Sequence, residues 1–179
     1  MDDYSKAIWV YLLKDKIEVY EKLVSFCSMV NTQFDLKVQR IRSDNGREFM
    51  NDPLHTYFLE HGIIQETSCV DTPQQNGRVE RKNWHILNVA RALRFQASLP
   101  TIFWGECVLT PAYLINRTPT KLLDSKTPYE VLFGKRPSYA HIKTFGCLCY
   151  AHNHSRGRDK FDARAVRCMF LGYPNGQKG

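Results

Sequence analysis

Apolar positions along this 179-residue chain recur at two periods, and the changes between them mark out the elements. Residues 7–13 are continuously apolar, short, and rich in aromatic and β-branched side chains, which predicts a buried strand. The polar run 2–6 before them reads as a hairpin turn. A turn needs a strand on each side, so Met1 is expected to begin within a sheet whose first strand is missing. Over 16–33 the period lengthens: Val19, Leu23, Phe26, Cys27 and Val30 fall on one face of a helix. Residues 38–42 predict a short strand, ended by the turn chemistry of Ser43, Asp44, Asn45 and Gly46. A short helix follows over 51–61, with Leu54, Phe58 and Leu59 expected to face inward, then a strand over 62–67. A polar loop over 68–76 leads to a long helix over 78–96. Its apolar stripe is Ile86, Leu87, Ala90, Leu93 and Ala97, and Arg78, Arg81, Lys82, His85 and Arg94 occupy the other faces. A last strong helical pattern covers 101–116, with Phe103, Trp104 and Tyr113 read as core packing. Thr118, Pro119 and Thr120 stop it.

Beyond residue 117 prolines and glycines divide the chain into short pieces, with strands expected over 144–151 and 166–173. This predicts a larger α/β domain over 1–120, a linker over 121–140, and a small β domain over 141–179 that ends early. There is no internal repeat.

Composition narrows the class. A hydrophobic fraction of 43% and a charged fraction of 24% suit a soluble globular chain. No apolar run approaches the ~20 residues of a membrane helix. The net charge of +7 is unevenly placed: residues 1–71 hold 8 Lys+Arg against 12 Asp+Glu, and residues 72–179 hold 17 against 6. A basic half of that kind suits a polyanionic partner. The six cysteines form no secreted disulfide framework and are expected to be reduced and buried.

Two carboxylates carry the candidate chemistry. Asp44 stands where a predicted strand gives way to a loop, and Glu80 in the first turn of the long predicted helix, with 35 residues between them. Phosphodiester chemistry at two Mg²⁺ ions needs hard oxygen ligands of this kind. An acid in a first helical turn is also favoured by the helix dipole. Arg78, Arg81 and Lys82 flank Glu80 as candidate phosphate contacts, and Gln74, Gln75 and Asn76 are candidate hydrogen-bonding groups to DNA. Taken singly, such an Asp is more often a turn former and such a Glu more often a cap. The two sentences Arg42-Ser43-Asp44-Asn45-Gly46 and Thr72-Pro73-Gln74-Gln75-Asn76-Gly77 with Glu80-Arg81-Lys82, at that spacing, favour a metal site.

The same sentences, with Trp9-Val10-Tyr11, Phe103-Trp104-Gly105-Glu106, Leu114-Ile115-Asn116-Arg117, Pro128-Tyr129-Glu130, Phe145-Gly146-Cys147 and Phe170-Leu171-Gly172-Tyr173, resemble the integrase region of copia-type long-terminal-repeat retrotransposon Pol polyproteins. The match runs from end to end. The resemblance implies a ribonuclease H-like mixed sheet flanked by helices, followed by a small β-barrel-like domain truncated here. It implies an Asp-Asp-Glu triad in which Asp44 is the second acid and Glu80 the third. The first acid belongs to a strand upstream of the 2–6 turn; Asp2 and Asp3 could substitute for it, but their match is to the turn, where polar residues are ordinary. The resemblance further implies Mg²⁺ or Mn²⁺ as cofactor, and DNA, both element ends and target, as partner. It also implies a homo-oligomer without membrane attachment, and action in the nucleus or in the cytoplasm before import. As a fragment lacking the first acid, the chain is expected to transfer strands poorly by itself.

Two other functions remain open on the residues alone: a nucleic-acid-binding relic or domesticated module without chemistry, and a metal-dependent nuclease that cuts without joining. Cys147, Cys149, His152 and His154 invite a zinc site, but their spacing is tighter than zinc ligands usually take.

Overall fold

The computed structural model describes residues 1–67, 77–152 and 164–173. The chain divides into two compact units, one of residues 11–82 and one of residues 1–10 with 83–179.

The 11–82 unit is a β-α-β crossover with a helix before it. Asp15 caps a single 3-10 turn that runs into α1, Val19–Phe34, and Asp35 ends α1 in the left-handed region at φ 53°. β1 is Arg40–Ser43, α2 is Asp52–His61 and β2 is Ile64–Thr67. The sequence sets both ends of α2. Asn51 Oδ1 accepts the Leu54 N–H at 3.0 Å, Pro53 sits in the first turn, and Gly62 closes the helix at φ 66°. Ile63 N then donates to Phe58 O at 2.8 Å, and Ile64 N to Gln39 O at 2.9 Å, which starts the ladder. β1 and β2 pair in parallel from Arg40 beside Ile64 to Ser43 beside Thr67. Cys27, Leu54, Phe58 and Ile63 form the core, with Leu23, Phe26, Ile41 and Tyr57 packed around it.

In the other unit the expected N-terminal turn is present. Asp2 Oδ2 accepts both Ser5 N–H and Ser5 O–H, at 2.7 and 2.6 Å, and Asp2 N donates to Ala7 O at 2.8 Å. α3, Gly77–Gln96, belongs to this unit from Asn83 onward. α4 is Trp104–Ile115, entered through a 3-10 turn and carrying the buried Pro111. Two clusters hold the unit together: Ile8, Ile86 and Ala112, and Ala90, Cys107 and Phe145. Gly146 adopts φ 80° where a Cβ would stand 2.4 Å from Ala97 Cβ, so the loop around Phe145 reaches the second cluster only with glycine there. β3, Leu148–His152, and β4, Ala165–Met169, form an antiparallel pair in which Cys149 lies opposite Cys168.

Several expectations change. Residues 7–13 lie outside any ladder among the described residues. The part of a neighbouring strand is taken by one side chain: Asn116 Oδ1 accepts Ile8 N–H at 2.9 Å and Asn116 Nδ2 donates to Ile8 O at 2.8 Å. Leu59 is 70% exposed, because the face of α2 that reaches the core is fully used by Leu54 and Phe58. Leu87 and Trp104 also sit at the surface rather than in the core. The 121–140 segment, read from the sequence as a linker, holds a 3-10 turn and α5, Pro128–Phe133, with Thr127 Oγ1 capping Glu130 N–H at 2.9 Å. Proline at the first position of α5 obscured a helix in what reads as loop composition. Of the cysteines in the described residues, Cys27 and Cys107 are buried, whereas Cys147, Cys149 and Cys168 are only half-buried.

Candidate metal centre and nucleic-acid surface

β1 ends on the buried Ser43, and Asp44 is the first exposed side chain beyond it. Asp44 Oδ1 accepts the Gly46 N–H at 3.1 Å, a local turn that fixes one carboxylate oxygen. Phe49 N then donates to Gly46 O at 3.0 Å, and Gln65 Nε2 on β2 donates to Phe49 O at 2.8 Å, tying the loop to the sheet. A Cβ at position 46 would lie 2.9 Å from both Asp44 Oδ1 and Glu48 Oε2. The two carboxylates therefore flank the bare Gly46 backbone. Glu48 also pairs with Lys16 Nζ at 3.1 Å. Its carboxyl is held below the usual carboxylate range by its own backbone N–H first, and then by Lys16. An open groove of ≈ 1030 Å³ runs along this loop, lined among others by Lys16, Tyr20, Asp44, Arg47, Glu48 and Asn51.

Glu80 lies in the first turn of α3, exposed, with Arg78 and Arg81 exposed and Lys82 half-buried. The Arg81 guanidinium folds back over the helix start, 3.1 Å from where a Gly77 Cβ would be. A cation there opposes the helix dipole, and an anion placed beside it would be favoured by both. Asp44 and Glu80 belong to the same unit. The parallel register sets Ser43 beside Thr67, so the chain leaves β2 for α3 at the sheet edge that carries Asp44. The ten Cα–Cα steps from Thr67 to Gly77 reach at most about 36 Å. Gln74, Gln75 and Asn76 lie outside the described residues, as does His154. Among the described residues no three His, Cys, Asp or Glu side chains gather as a metal cluster.

Sequence reasoning missed Glu48 and its Lys16 partner. The available signal was its place four residues beyond Asp44 in the same polar run.

The Retrovirus-related Pol polyprotein from transposon TNT 1-94 of Nicotiana tabacum is 40% identical to this chain over 179 residues, its whole length. This chain belongs to the retrovirus-related Pol polyproteins of transposons. The counterpart from transposon RE1 of Arabidopsis thaliana is 38% identical over 173 residues, 97% of the chain. The chain spans only 14% and 12% of the length of these two Pol polyproteins. A family model described as the Retroviral polymerase SH3-like domain matches residues 147–179, which include β3 and β4. Among solved structures, the HTLV-2 integrase catalytic core domain in complex with magnesium (trimeric form) superposes with a TM-score of 0.56 at 20% identity. That match covers 73% of this chain and 80% of that one. The catalytic core domain of BIV integrase gives 0.54 at 19% identity, with the same coverage. At these identities the likeness establishes the fold: this Pol segment has the mixed α/β fold of retroviral integrase catalytic cores. None of its described helices is long and apolar enough to cross a membrane.

Proposed function

We propose that this Pol segment is the catalytic-core part of a DNA integrase, with Asp44 and Glu80 as metal ligands and Arg78, Arg81 and Lys82 as contacts to DNA phosphates. One observation supports this most: Asp44 closes β1 and Glu80 opens α3 within a single unit, in a chain with the fold of integrase cores. The donor set suits Mg²⁺ or Mn²⁺. Both side chains are exposed carboxylates, and Mg²⁺ is commonly held by one or two carboxylates while keeping waters and substrate phosphate as its remaining ligands. When bound, the metal supplies charge relief at a phosphodiester.

The chain's own residues do the rest. The Gly46 N–H orients Asp44. Arg81, folded over the helix start, offers a planar fork to phosphate beside Glu80. Gln74, Gln75 and Asn76 are proposed to touch DNA next to it. In this reading Asp44 and Glu80 are two ligands of a three-acid set, so the 179 residues alone bind metal and DNA but join DNA ends weakly. The SH3-like segment belongs to the same compact unit as α4 and the body of α3 and is not a separate domain; the assembly is a homo-oligomer, and the work is done in the nucleus, where target DNA lies. A second reading, DNA binding without chemistry, is favoured by the basic excess of residues 72–179 taken by itself.

Mn²⁺ titration of the full chain, followed by electron paramagnetic resonance, tests the site. Asp44→Asn and Glu80→Gln are each expected to weaken Mn²⁺ at least about tenfold. If either leaves the affinity unchanged, the two carboxylates do not share a metal and the integrase site is wrong. Metal-dependent nicking of a labelled DNA duplex separates the catalytic reading from the binding-only one, and joined products separate an integrase from a nuclease.

A further inference from the structure

We propose that Cys149 and Cys168 form a reversible intramolecular disulfide, making the β3–β4 hairpin a thiol-oxidation site. The two residues are register partners on antiparallel strands, so their side chains leave the same face of the hairpin. Both are free and half-buried, within reach of a small-molecule oxidant. In the reduced form Cys168 Sγ donates weakly to Val166 O at 3.4 Å, an interaction little stronger than one with water. Directly opposed residues hold their Cβ atoms about 4.5–5.5 Å apart. A disulfide wants about 3.5–4.5 Å. The strands must close slightly to form the bond, which makes it readily reducible and not a permanent staple. Cys147, two residues upstream, is the competing thiol; its carbonyl already accepts Phe170 N–H at 2.9 Å at the end of the pairing. The site is independent of the metal centre.

The oxidant is a low-molecular-weight disulfide of the glutathione type. One cysteine thiolate attacks it, forming a mixed disulfide and expelling one glutathione thiolate. The second cysteine thiolate attacks the protein sulfur of that mixed disulfide and expels the other. The protein loses two electrons and two protons, and the glutathione disulfide becomes two thiols. The bond ties β3 to β4 at the centre of their register, Leu148↔Met169 through His152↔Ala165.

Oxidised glutathione added to the full chain, followed by intact-mass and tryptic mapping, tests this. The expected product is a monomer lighter by about 2 Da, with the 144–156 peptide joined to the 168–178 peptide. It should form in the Cys147→Ser variant, be absent in Cys149→Ser and in Cys149→Ala, and disappear with dithiothreitol. Hydrogen exchange at the Cys149 and Ala151 amides is expected to slow several-fold on oxidation. The proposal is overturned if Cys149→Ser cross-links as well as the parent, if only glutathione adducts accumulate, or if these cysteines carry stoichiometric zinc. Where a variant fails to fold, fragmentation of the cross-linked parent peptide between Cys147 and Cys149 decides the matter: a bond carried by Cys147 overturns the proposal.

Discussion

Gly46 is the residue on which the candidate metal loop turns. Its missing Cβ would occupy a point 2.9 Å from an oxygen of Asp44 and from one of Glu48, inside van der Waals contact with both. Any side chain there must push one carboxylate away. Gly46→Ala is therefore expected to lower Mn²⁺ affinity by about tenfold, the usual scale for disturbing a ligand's support, while leaving the thermal midpoint nearly unchanged. Calorimetric titration beside a melting curve checks both halves. An unchanged affinity would mean that the methyl displaces Glu48 and leaves Asp44 in place, and Asp44→Asn then decides whether Asp44 is a ligand. Asn116 matters in a different way. Its amide satisfies both the N–H and the carbonyl of Ile8, a residue 5% exposed. Asn116→Ala leaves two partly buried backbone groups unpaired and is expected to cost about 1–3 kcal/mol in a urea melt. Asp44 and Glu80 stand out in the sequence as candidates because each sits in a polar run that core packing does not explain. Asn116 was not, because its partner is 108 positions away and nothing local marks it.

α2 shows which part of an element a sequence discloses. Its ends are set by local chemistry, Asn before, Pro inside and Gly after, which the reading of 51–61 as a helix does not use. The apolar face was legible only to within one residue. Leu54 and Phe58, four apart, share a face, whereas Leu59 stands about 100° further round from Phe58; Leu54 is fully buried and Leu59 is 70% exposed. Leu54→Ala is thus expected to cost about 2–5 kcal/mol, and Leu59→Ala less than about 0.5 kcal/mol. Chemical denaturation of both variants checks the difference, and equal costs would contradict this packing. The strand run over 7–13 misled for a related reason: Ala7 and Ile8 are buried but Tyr11 and Leu12 are exposed, and a ladder requires a neighbour that composition does not reveal. The β1–β2 pair adds a pH dependence. Arg42 hydrogen-bonds Glu66 at 2.7 Å and Arg40 pairs with it at 2.8 Å, across the strands. Arg42 first, with Arg40, holds the Glu66 carboxyl below its ordinary value. Because the folded-state pKa is the lower one, this stabilisation is complete above the unfolded value near pH ~4.3 and fades as pH falls through the folded value. Glu66→Gln is expected to flatten that acid limb of the stability curve, measured by melting between pH 3 and 6.

At the scale of the whole chain, the division of charge is the property that most directly concerns DNA. Residues 72–179 carry 17 Lys+Arg against 6 Asp+Glu, and residues 1–71 carry the opposite excess. Association through diffuse attraction alone would respond to total charge and be indifferent to which cations were removed. A docked phosphate backbone behaves otherwise, since each neutralised phosphate releases counterions and contributes about 0.9 to the slope of log K against log salt. Arg78, Arg81 and Lys82 lie together at the head of α3, whereas Lys121, Lys126 and Lys135 belong to the segment around α5. Replacing the first three by Ala is expected to reduce the slope by about 2–3 and to weaken binding alike on every sequence tested. Replacing the second three removes the same formal charge and is expected to leave the slope within about 0.5 of the parent. Fluorescence anisotropy with a short duplex over a range of NaCl distinguishes the two cases. Equal effects from both triples would reduce the interaction to net charge and remove α3 from the DNA surface.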